Sequence, residues 1–170
     1  MLTLMQEVAA QVITPRFRAL ASGEVMEKKP GDLVTVADHE AEVLITAALQ
    51  ADDPGVLVIG EEACSADPSL LGRLAGAPHA YTVDPVDGTK NFVNGRPDYA
   101  VMVAELRDGV TVRAWIWQPE TGVAYVAERG SGAFRDGVRL GSSWSPDRGG
   151  AADALAGGSL RVLTSKPSYE

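Results

Sequence analysis

DPVDGTKNF (residues 84–92) decides the fold and the chemistry expected of this chain. The apolar run at 80–83 precedes it and predicts a buried strand that ends at Asp84. Pro85 fixes its own φ and restricts the residue before it, so Asp84 and Asp87 should be held on a stiff turn. Their carboxylate oxygens are therefore expected to converge on one point.

The second half of this stretch predicts a place for an anion. Gly88 carries no Cβ, so the backbone can approach a ligand closely at this position. Thr89 is expected to begin a helix whose N-terminal amides face that ligand. The segment thus combines two acids with backbone groups that suit a negatively charged molecule.

A second pair of acids follows a second apolar run. Residues 56–59 (VLVI) predict a buried strand, and Gly60, Glu61 and Glu62 come directly after it. Acidic oxygens that converge without His or Cys suit a hard cation such as Mg²⁺, which prefers carboxylate and water and often binds together with a substrate phosphate. Zinc is correspondingly disfavoured.

Each of these pieces has a simpler interpretation when it is taken alone. Asp, Pro and Gly are turn formers, so residues 84–88 could form only a turn. Glu61 and Glu62 could be a solvated strand end, and Asp38 could be the N-cap of a helix. Their occurrence together, in one order along one chain, favours a common site.

The N-terminal third of the chain has helical periodicity. The apolar residues that predict a first amphipathic helix are Leu4, Val8, Val12 and Leu20. Pro15 should kink or restart this helix. A second helix is expected from Asp38 to about Gln50. Its predicted buried side consists of Val43, Leu44, Ala47 and Ala48.

Downstream, apolar runs alternate with turn signals. The runs at 100–106, 110–118 and 123–128 are separated by short turns and predict an antiparallel meander. Residues 133–140, which contain an Asp-Gly turn, predict one more hairpin.

The last thirty residues change in composition. Ser, Gly, Ala and Asp dominate residues 142–158, which we interpret as a linker, and residues 160–164 predict a strand that begins a second layer. We therefore divide the chain into a metal-binding α+β domain (1–141), a linker (142–158) and the beginning of a C-terminal α/β domain (159–170).

Composition excludes several classes of protein and partner. The net charge of −8 and the pI near 4.8 disfavour nucleic acid as a partner, because the average surface field repels polyanions. Cys64 is the only cysteine, so no internal disulfide can form and a reducing compartment fits. The N-terminus lacks a basic secretory region, and no apolar run is long enough to cross a bilayer. We expect a cytoplasmic protein with no membrane contact.

Taken together, these segments resemble the metal-binding signature of the inositol monophosphatase family. The resemblance rests on GEE (60–62) followed by DPVDGTKNF (84–92), and it extends from LVTVAD (33–38) through GAF (132–134). It implies a layered α+β sugar-phosphatase fold, in which paired N-terminal helices pack on a largely antiparallel sheet and a second α/β layer begins. It also implies a homodimer.

The resemblance implies a role for each matching residue. The implied ligands of two or three Mg²⁺ ions are Glu61, Asp84, Asp87 and the backbone carbonyl of Val86. Thr89, held by Asp38, would work with Glu61 to orient and deprotonate a metal-activated water. Asp87 and the amides of Gly88 and Thr89 would bind the substrate phosphate.

One feature of the family is missing from this sequence. Family members carry a further Asp in a Trp-Asp motif of a C-terminal layer, whereas Trp115, Trp117 and Trp144 precede Ile, Gln and Ser. Together with the linker and the lone predicted strand, this indicates a chain that is truncated relative to the family. We expect such a chain, by itself, to bind metal weakly and to turn over slowly.

The implied function is that of a Mg²⁺-dependent phosphomonoesterase acting on a small phosphorylated metabolite, a polyol phosphate, and most simply on inositol monophosphate. Histidinol phosphate, fructose bisphosphate and nucleotide 3′-phosphates remain alternative substrates. A non-catalytic, dimeric regulatory or interaction module is an alternative of another class, motivated by the missing ligand. The complete set of acids and Thr89 argues against that alternative, because an interaction surface does not require them together.

Overall fold

The structure, a computed structural model, describes residues 1–141 of the chain. Strands joined by turns form the framework of this part. In chain order the strands are β1 (Val25–Lys29), β2 (Asp32–Thr35), β3 (Leu57–Gly60), β4 (His79–Asp87), β5 (Ala100–Arg107), β6 (Val110–Gln118), β7 (Val123–Glu128), β8 (Gly132–Arg135) and β9 (Val138–Arg139). The first two pair as a separate antiparallel hairpin, and the other seven form one sheet in sequential order.

One parallel pair interrupts an otherwise antiparallel sheet. β3 runs parallel to β4, and every other neighbouring pair in the sheet is antiparallel. The meander and the final hairpin that the turn signals predict are therefore confirmed. Because parallel strands end at the same edge, the segments that follow β3 and end β4 lie side by side, with Gly60 paired to Val83.

Four α-helices accompany the strands of the described chain. They are α1 (Leu2–Val8), α2 (Val36–Asp52), α3 (Glu61–Ala66) and α4 (Thr89–Val93). α1 continues as a π-helical segment, Ala9–Ile13, and as a 3-10 turn, Thr14–Arg16. Pro15 lies in that turn, and it ends the regular helix because it lacks an N–H and crowds the preceding turn. The predicted interruption is confirmed, although the helix already changes type at Ala9.

The core lies between the N-terminal helices and one face of the sheet. Met5 and Ile13 from the first helical stretch, Ile45 from α2 and Val101 from β5 are fully buried in one apolar cluster. Burial of such side chains stabilises the fold by about 1.5–3 kcal/mol each relative to exposure. The paired helices on a largely antiparallel sheet are thus the fold that the resemblance implies.

The buried side of α2 differs from the predicted one. The buried apolar residues are Ala37, Ala41, Ile45 and Leu49, and Val43 is 66% exposed. These residues recur at every fourth position and form a single helical stripe. The prediction instead grouped apolar residues that are adjacent in the sequence. Small alanines at two of the stripe positions let the helix approach the sheet closely, and a grouping by sequence neighbours does not reveal this.

The Asp-Pro-Val-Asp segment is extended, and the prediction of a stiff turn there was wrong. β4 continues through it, and Asp84 and Asp87 pair with Met102 and Ala100 of β5 across a register shift. Pro85 lacks an N–H, and the irregular stretch between the two acids accommodates it. The chain turns only at Gly88, whose φ of +87° lies in the left-handed region.

A 3-10 segment, Pro68–Gly76, connects α3 to β4 and contains no buried residue. The predicted linker (142–158) and the predicted strand at 160–164 lie outside the described residues. None of the helices within residues 1–141 combines the length and the apolar character that a bilayer crossing requires.

Candidate metal and phosphate site

Three acids, Glu61, Asp84 and Asp87, lie where the parallel strands β3 and β4 both end. We call this end of the sheet the acidic edge. Glu61 is the first residue of α3, directly after β3, whereas Asp84 and Asp87 lie near the end of β4. The pairing of β3 with β4 stops at Gly60 and Val83, so Glu61 and Asp84 are the residues that directly follow the last pair. The fold therefore brings carboxylates from two separate segments to the same end of the sheet.

Asp84 is the most strongly perturbed of these acids. Its Oδ1 is buried and has no hydrogen-bond partner within residues 1–141. Burial raises the pKa of the Asp84 carboxyl to about 8, and the negative charges of Glu61 and Asp87 add to this effect. Burial and the charge of Glu61 likewise raise the pKa of Asp87. The three acids are close enough to repel one another.

A lysine of the β1–β2 hairpin partly neutralises this edge. Lys28 Nζ lies 3.0 Å from Glu61 Oε1 and 3.1 Å from Glu62 Oε1. Burial lowers the pKa of Lys28, but the hydrogen bonds and charges of the two glutamates outweigh it, and the pKa lies above its usual value. In the part of the chain described, no three Asp, Glu, His or Cys side chains converge as the ligands of one metal ion. The ammonium of Lys28 is instead the cation that contacts Glu61 Oε1.

The residues at this edge nevertheless fit a hard divalent cation. Asp84 presents a buried oxygen that no described residue satisfies, and Asp87 and Glu61 supply further carboxylates beside it. Buried carboxylates are strongly disfavoured without a counter-charge. Oxygen donors without nitrogen or sulfur match the preference of Mg²⁺. A cation at this edge would relieve the repulsion that raises the pKa of Asp84.

Asp38 connects the start of α2 to Thr89. Thr35 is the N-cap of α2 and Asp38 is its third residue, and the two form a reciprocal capping box. Asp38 Oδ2 accepts hydrogen bonds from the Thr35 amide at 3.0 Å and the Thr35 hydroxyl at 2.5 Å. Its other oxygen, Oδ1, lies 3.1 Å from Thr89 Oγ1. Asp38 is therefore not the N-cap that the simpler interpretation suggested.

The Thr89 hydroxyl also lies 2.9 Å from the Val86 carbonyl oxygen. A hydroxyl has a single proton, so Thr89 donates to Asp38 or to Val86 but not to both at once. Burial raises the pKa of Asp38, although the hydrogen bonds from Thr35 and Thr89 oppose the shift. The pair of acceptors restricts the Thr89 oxygen to one position at the beginning of α4.

Gly88 caps α4 and allows two chain segments to meet. Its carbonyl oxygen accepts hydrogen bonds from the amides of Asn91 and Phe92. A Cβ at this position would lie 2.9 Å from the Asp98 carbonyl oxygen, closer than side chains normally approach. The left-handed φ and this contact both require glycine, so the predicted close backbone approach is to another part of the chain.

Two residues near the acids were missed by sequence reasoning. Lys28 reaches Glu61 from the β1–β2 hairpin, and Glu42 reaches the first amides of α3 from the middle of α2. No motif marks either residue. The one signal was Glu42 itself, an acid within the periodic apolar pattern of a helix, where solvated acids are not expected.

Comparison with known proteins gives a consistent result. The family model described as the inositol monophosphatase family matches residues 2–161. An inositol-1-monophosphatase of Rhizobium meliloti (strain 1021) is 37% identical over 132 residues, which is 78% of this chain and 47% of that protein. A histidinol-phosphatase of Chlorobaculum parvum is 40% identical over 114 residues, 67% of this chain and 41% of that protein.

Solved structures agree with these relatives. The crystal structure of the extragenic suppressor protein suhB from Bartonella henselae superposes with a TM-score of 0.70 at 30% identity. The match covers 82% of this chain and 51% of that one. This chain thus spans about half the length of the relatives it matches. Because the family model covers nearly the whole sequence and the described fold agrees, the chain belongs to the inositol monophosphatase family.

Proposed function

We propose that this chain supplies the metal-binding half of a Mg²⁺-dependent phosphomonoesterase that hydrolyses a small polyol phosphate, most simply inositol monophosphate. The observation that carries the proposal is the buried Asp84 oxygen, which no residue within 1–141 hydrogen-bonds, beside Glu61 and Asp87. A fold that kept three mutually repelling acids without a cation would lose stability for no structural gain.

In this proposal the ligands are Glu61, Asp84, Asp87 and the Val86 carbonyl, which retains a second lone pair when Thr89 donates to it. Divalent ions held there would lower the pKa of water toward neutrality and stabilise charge on the leaving oxygen. Whether the Thr89 hydroxyl donates to Asp38 or to Val86, the lone pairs of its oxygen could accept a hydrogen bond from the attacking water. Glu61 would take up the proton of that water.

The substrate phosphate would meet the backbone amides of Gly88 and Thr89 at the start of α4. The chain carries a net charge of −8, so its average field opposes an anionic substrate. Bound cations would reverse the local sign of the field at this edge. We therefore expect phosphate binding to require the divalent ion.

The proposal is tested first by direct metal binding. Mn²⁺ is a spectroscopic stand-in for Mg²⁺, and its affinity for the polypeptide is measured by electron paramagnetic resonance. The wild-type chain is expected to bind Mn²⁺, and Asp84→Asn should weaken binding at least tenfold because a buried anionic ligand is lost. Asp53→Asn, at the C-terminal end of α2, is the matched control and should bind as the wild type does. Equal binding by the Asp84 variant would refute the metal assignment.

The substrate class is tested by phosphate release with and without Mg²⁺. The panel contains inositol 1-phosphate, histidinol phosphate, fructose 1,6-bisphosphate and a nucleotide 3′-phosphate. We expect inositol phosphate to be hydrolysed fastest, and the Asp84→Asn variant to hydrolyse none of them. Release that does not depend on Mg²⁺, or that survives in the variant, would contradict a metal-assisted phosphatase.

A second candidate function, a dimeric regulatory or interaction module of the cytoplasm, draws support from Lys28. Its ammonium compensates Glu61 and Glu62 within the chain itself, so part of the acidic edge is balanced without a metal. Phosphate release by the wild type separates the two functions, and sedimentation of the wild type and of Asp84→Asn tests whether the dimer is independent of the acid. If the chain acts as an interaction module, both proteins should form the same homodimer and neither should release phosphate.

A further inference from the structure

Glu42 is a buried acid that the proposed chemistry does not use. It lies in the middle of α2 and is 8% exposed. Its Oε2 accepts a hydrogen bond from the Glu62 amide at 2.8 Å, and its Oε1 accepts one from the Ala63 amide at 3.0 Å. Both carboxylate oxygens are thus satisfied by consecutive backbone amides of another helix.

These two amides belong to the first turn of α3. Glu61 is the first residue of that helix, so the amides that Glu42 holds directly follow the acid proposed as a metal ligand and base. Amides at a helix N-terminus lack partners within the helix, and a carboxylate that accepts from them forms charge-assisted hydrogen bonds. Glu42 therefore caps α3 from outside that helix.

Core packing alone does not fix the start of α3. The helix has six residues, and Glu62 is its only buried one. The Glu61 side chain is held at its far end by Lys28, on a hairpin outside the main sheet. The two hydrogen bonds that Glu42 accepts tie the first turn of α3 to α2, the helix packed against the sheet.

Gly60 supports the same conclusion. A Cβ built on Gly60 would overlap the carboxylate of Glu42. The φ of Gly60 is −90°, a value that any residue adopts, so backbone conformation does not demand glycine here. A side chain at position 60 would therefore force the Glu42 carboxylate to move away from the amides that it holds.

We propose that Glu42 is a positioning residue that sets the orientation of Glu61 by clamping the first turn of α3. The proposal rests on the function proposed above, because it assigns Glu42 to the same acidic edge. Groups that orient a ligand from behind typically change metal affinity by 10–100-fold when they are removed. Glu42 should therefore influence cation binding without touching the cation.

The test uses Glu42→Gln, which preserves size but replaces one accepting oxygen by an amide nitrogen that cannot accept. Mn²⁺ affinity is expected to fall about tenfold. Amide hydrogen exchange at Glu62 and Ala63 should accelerate while exchange in β5 stays unchanged. Glu40→Gln is the matched control, because Glu40 lies on the same helix but pairs with Arg16. Its Mn²⁺ affinity should stay within twofold of the wild type.

Gly60→Ala is a second variant, which keeps the question answerable if Glu42→Gln does not fold. Its methyl group should displace the carboxylate and weaken Mn²⁺ binding to a similar degree. In the background of Glu42→Ala, the same change should have almost no further effect, because the obstructing carboxylate is gone.

The outcomes separate the two proposals. A wild-type chain that does not bind Mn²⁺ would overturn the proposed function, and the positioning role with it. A wild type that binds Mn²⁺, together with Glu42→Gln at equal affinity and unchanged amide exchange, would overturn the positioning role alone. Additive effects of the Gly60 and Glu42 substitutions would also contradict it.

Discussion

Asp84 makes the stability of the metal-free protein dependent on pH. Its folded-state pKa of about 8 lies above the value of 3.8 expected when the chain is unfolded. Between these values Asp84 binds more protons in the folded state, so its contribution to stability is fully present below about pH 4 and is lost as the pH rises toward 8. We expect thermal unfolding of the chelator-treated protein to show a decrease on the order of 2 kcal/mol between pH 5.5 and 8.

Asp84→Asn should remove most of that decrease, since the amide does not ionise. The variant should therefore be more stable than the metal-free wild type at pH 8 and similar to it at pH 5. Asp53 provides a contrast, because a hydrogen bond from His79 lowers its pKa and its contribution is lost as the pH falls. A wild type whose metal-free stability is flat from pH 5.5 to 8 would contradict the raised pKa of Asp84.

In the proposed metal site, Lys28 would compete with a cation for Glu61. Its ammonium must leave Glu61 before a divalent ion can use that oxygen. Lys28→Met keeps the length of the side chain and removes the charge, so Mn²⁺ affinity should increase severalfold at low salt. The neighbouring Lys29→Met, which removes an exposed charge next to it, controls for net charge. Equal increases in Mn²⁺ affinity in the two variants would mean that the change in net charge, and not the loss of the contact with Glu61, causes the effect.

At the scale of elements, the capping box of α2 links helix formation to the candidate site. Thr35→Ala removes the cap and one of the donors to Asp38. Loss of an N-cap typically lowers the free energy of unfolding by about 1 kcal/mol. The loss of a hydrogen-bond donor to the buried Asp38 would increase this to about 2 kcal/mol. Urea unfolding should show this loss, whereas Thr46→Ala, in the middle of α2, should be nearly neutral. An unchanged midpoint for Thr35→Ala would mean that water replaces the cap.

The elements also show what the sequence could predict. Apolar runs separated by turn residues suffice to predict β5 to β9, because antiparallel neighbours in a meander are also neighbours along the chain. The site acids follow from a specific motif. Lys28 and Glu42 could not be predicted, since each contact joins elements about 20 to 34 positions apart whose mutual orientation depends on core packing. The buried stripe of α2 depends on the same packing.

At the scale of the molecule, one feature of the sheet topology places Glu61, Asp84 and Asp87 together at the acidic edge. A fully antiparallel sheet would have placed the end of β3 and the end of β4 at opposite edges. The single parallel pair brings them together and requires a long return connection, which α3 and the 3-10 segment provide. The fold thus gathers its negative charge at one end of two strands.

That return connection has a practical consequence. Pro68–Gly76 has no buried residue, and near its end Ala75 approaches Gly109 in the β5–β6 turn, at the edge of the sheet opposite to the acids. Surface segments of this kind accept inserted sequence because no core contact depends on their length. A fluorescent or affinity tag grafted after Gly72 would therefore label or immobilise the protein and leave its chemistry accessible.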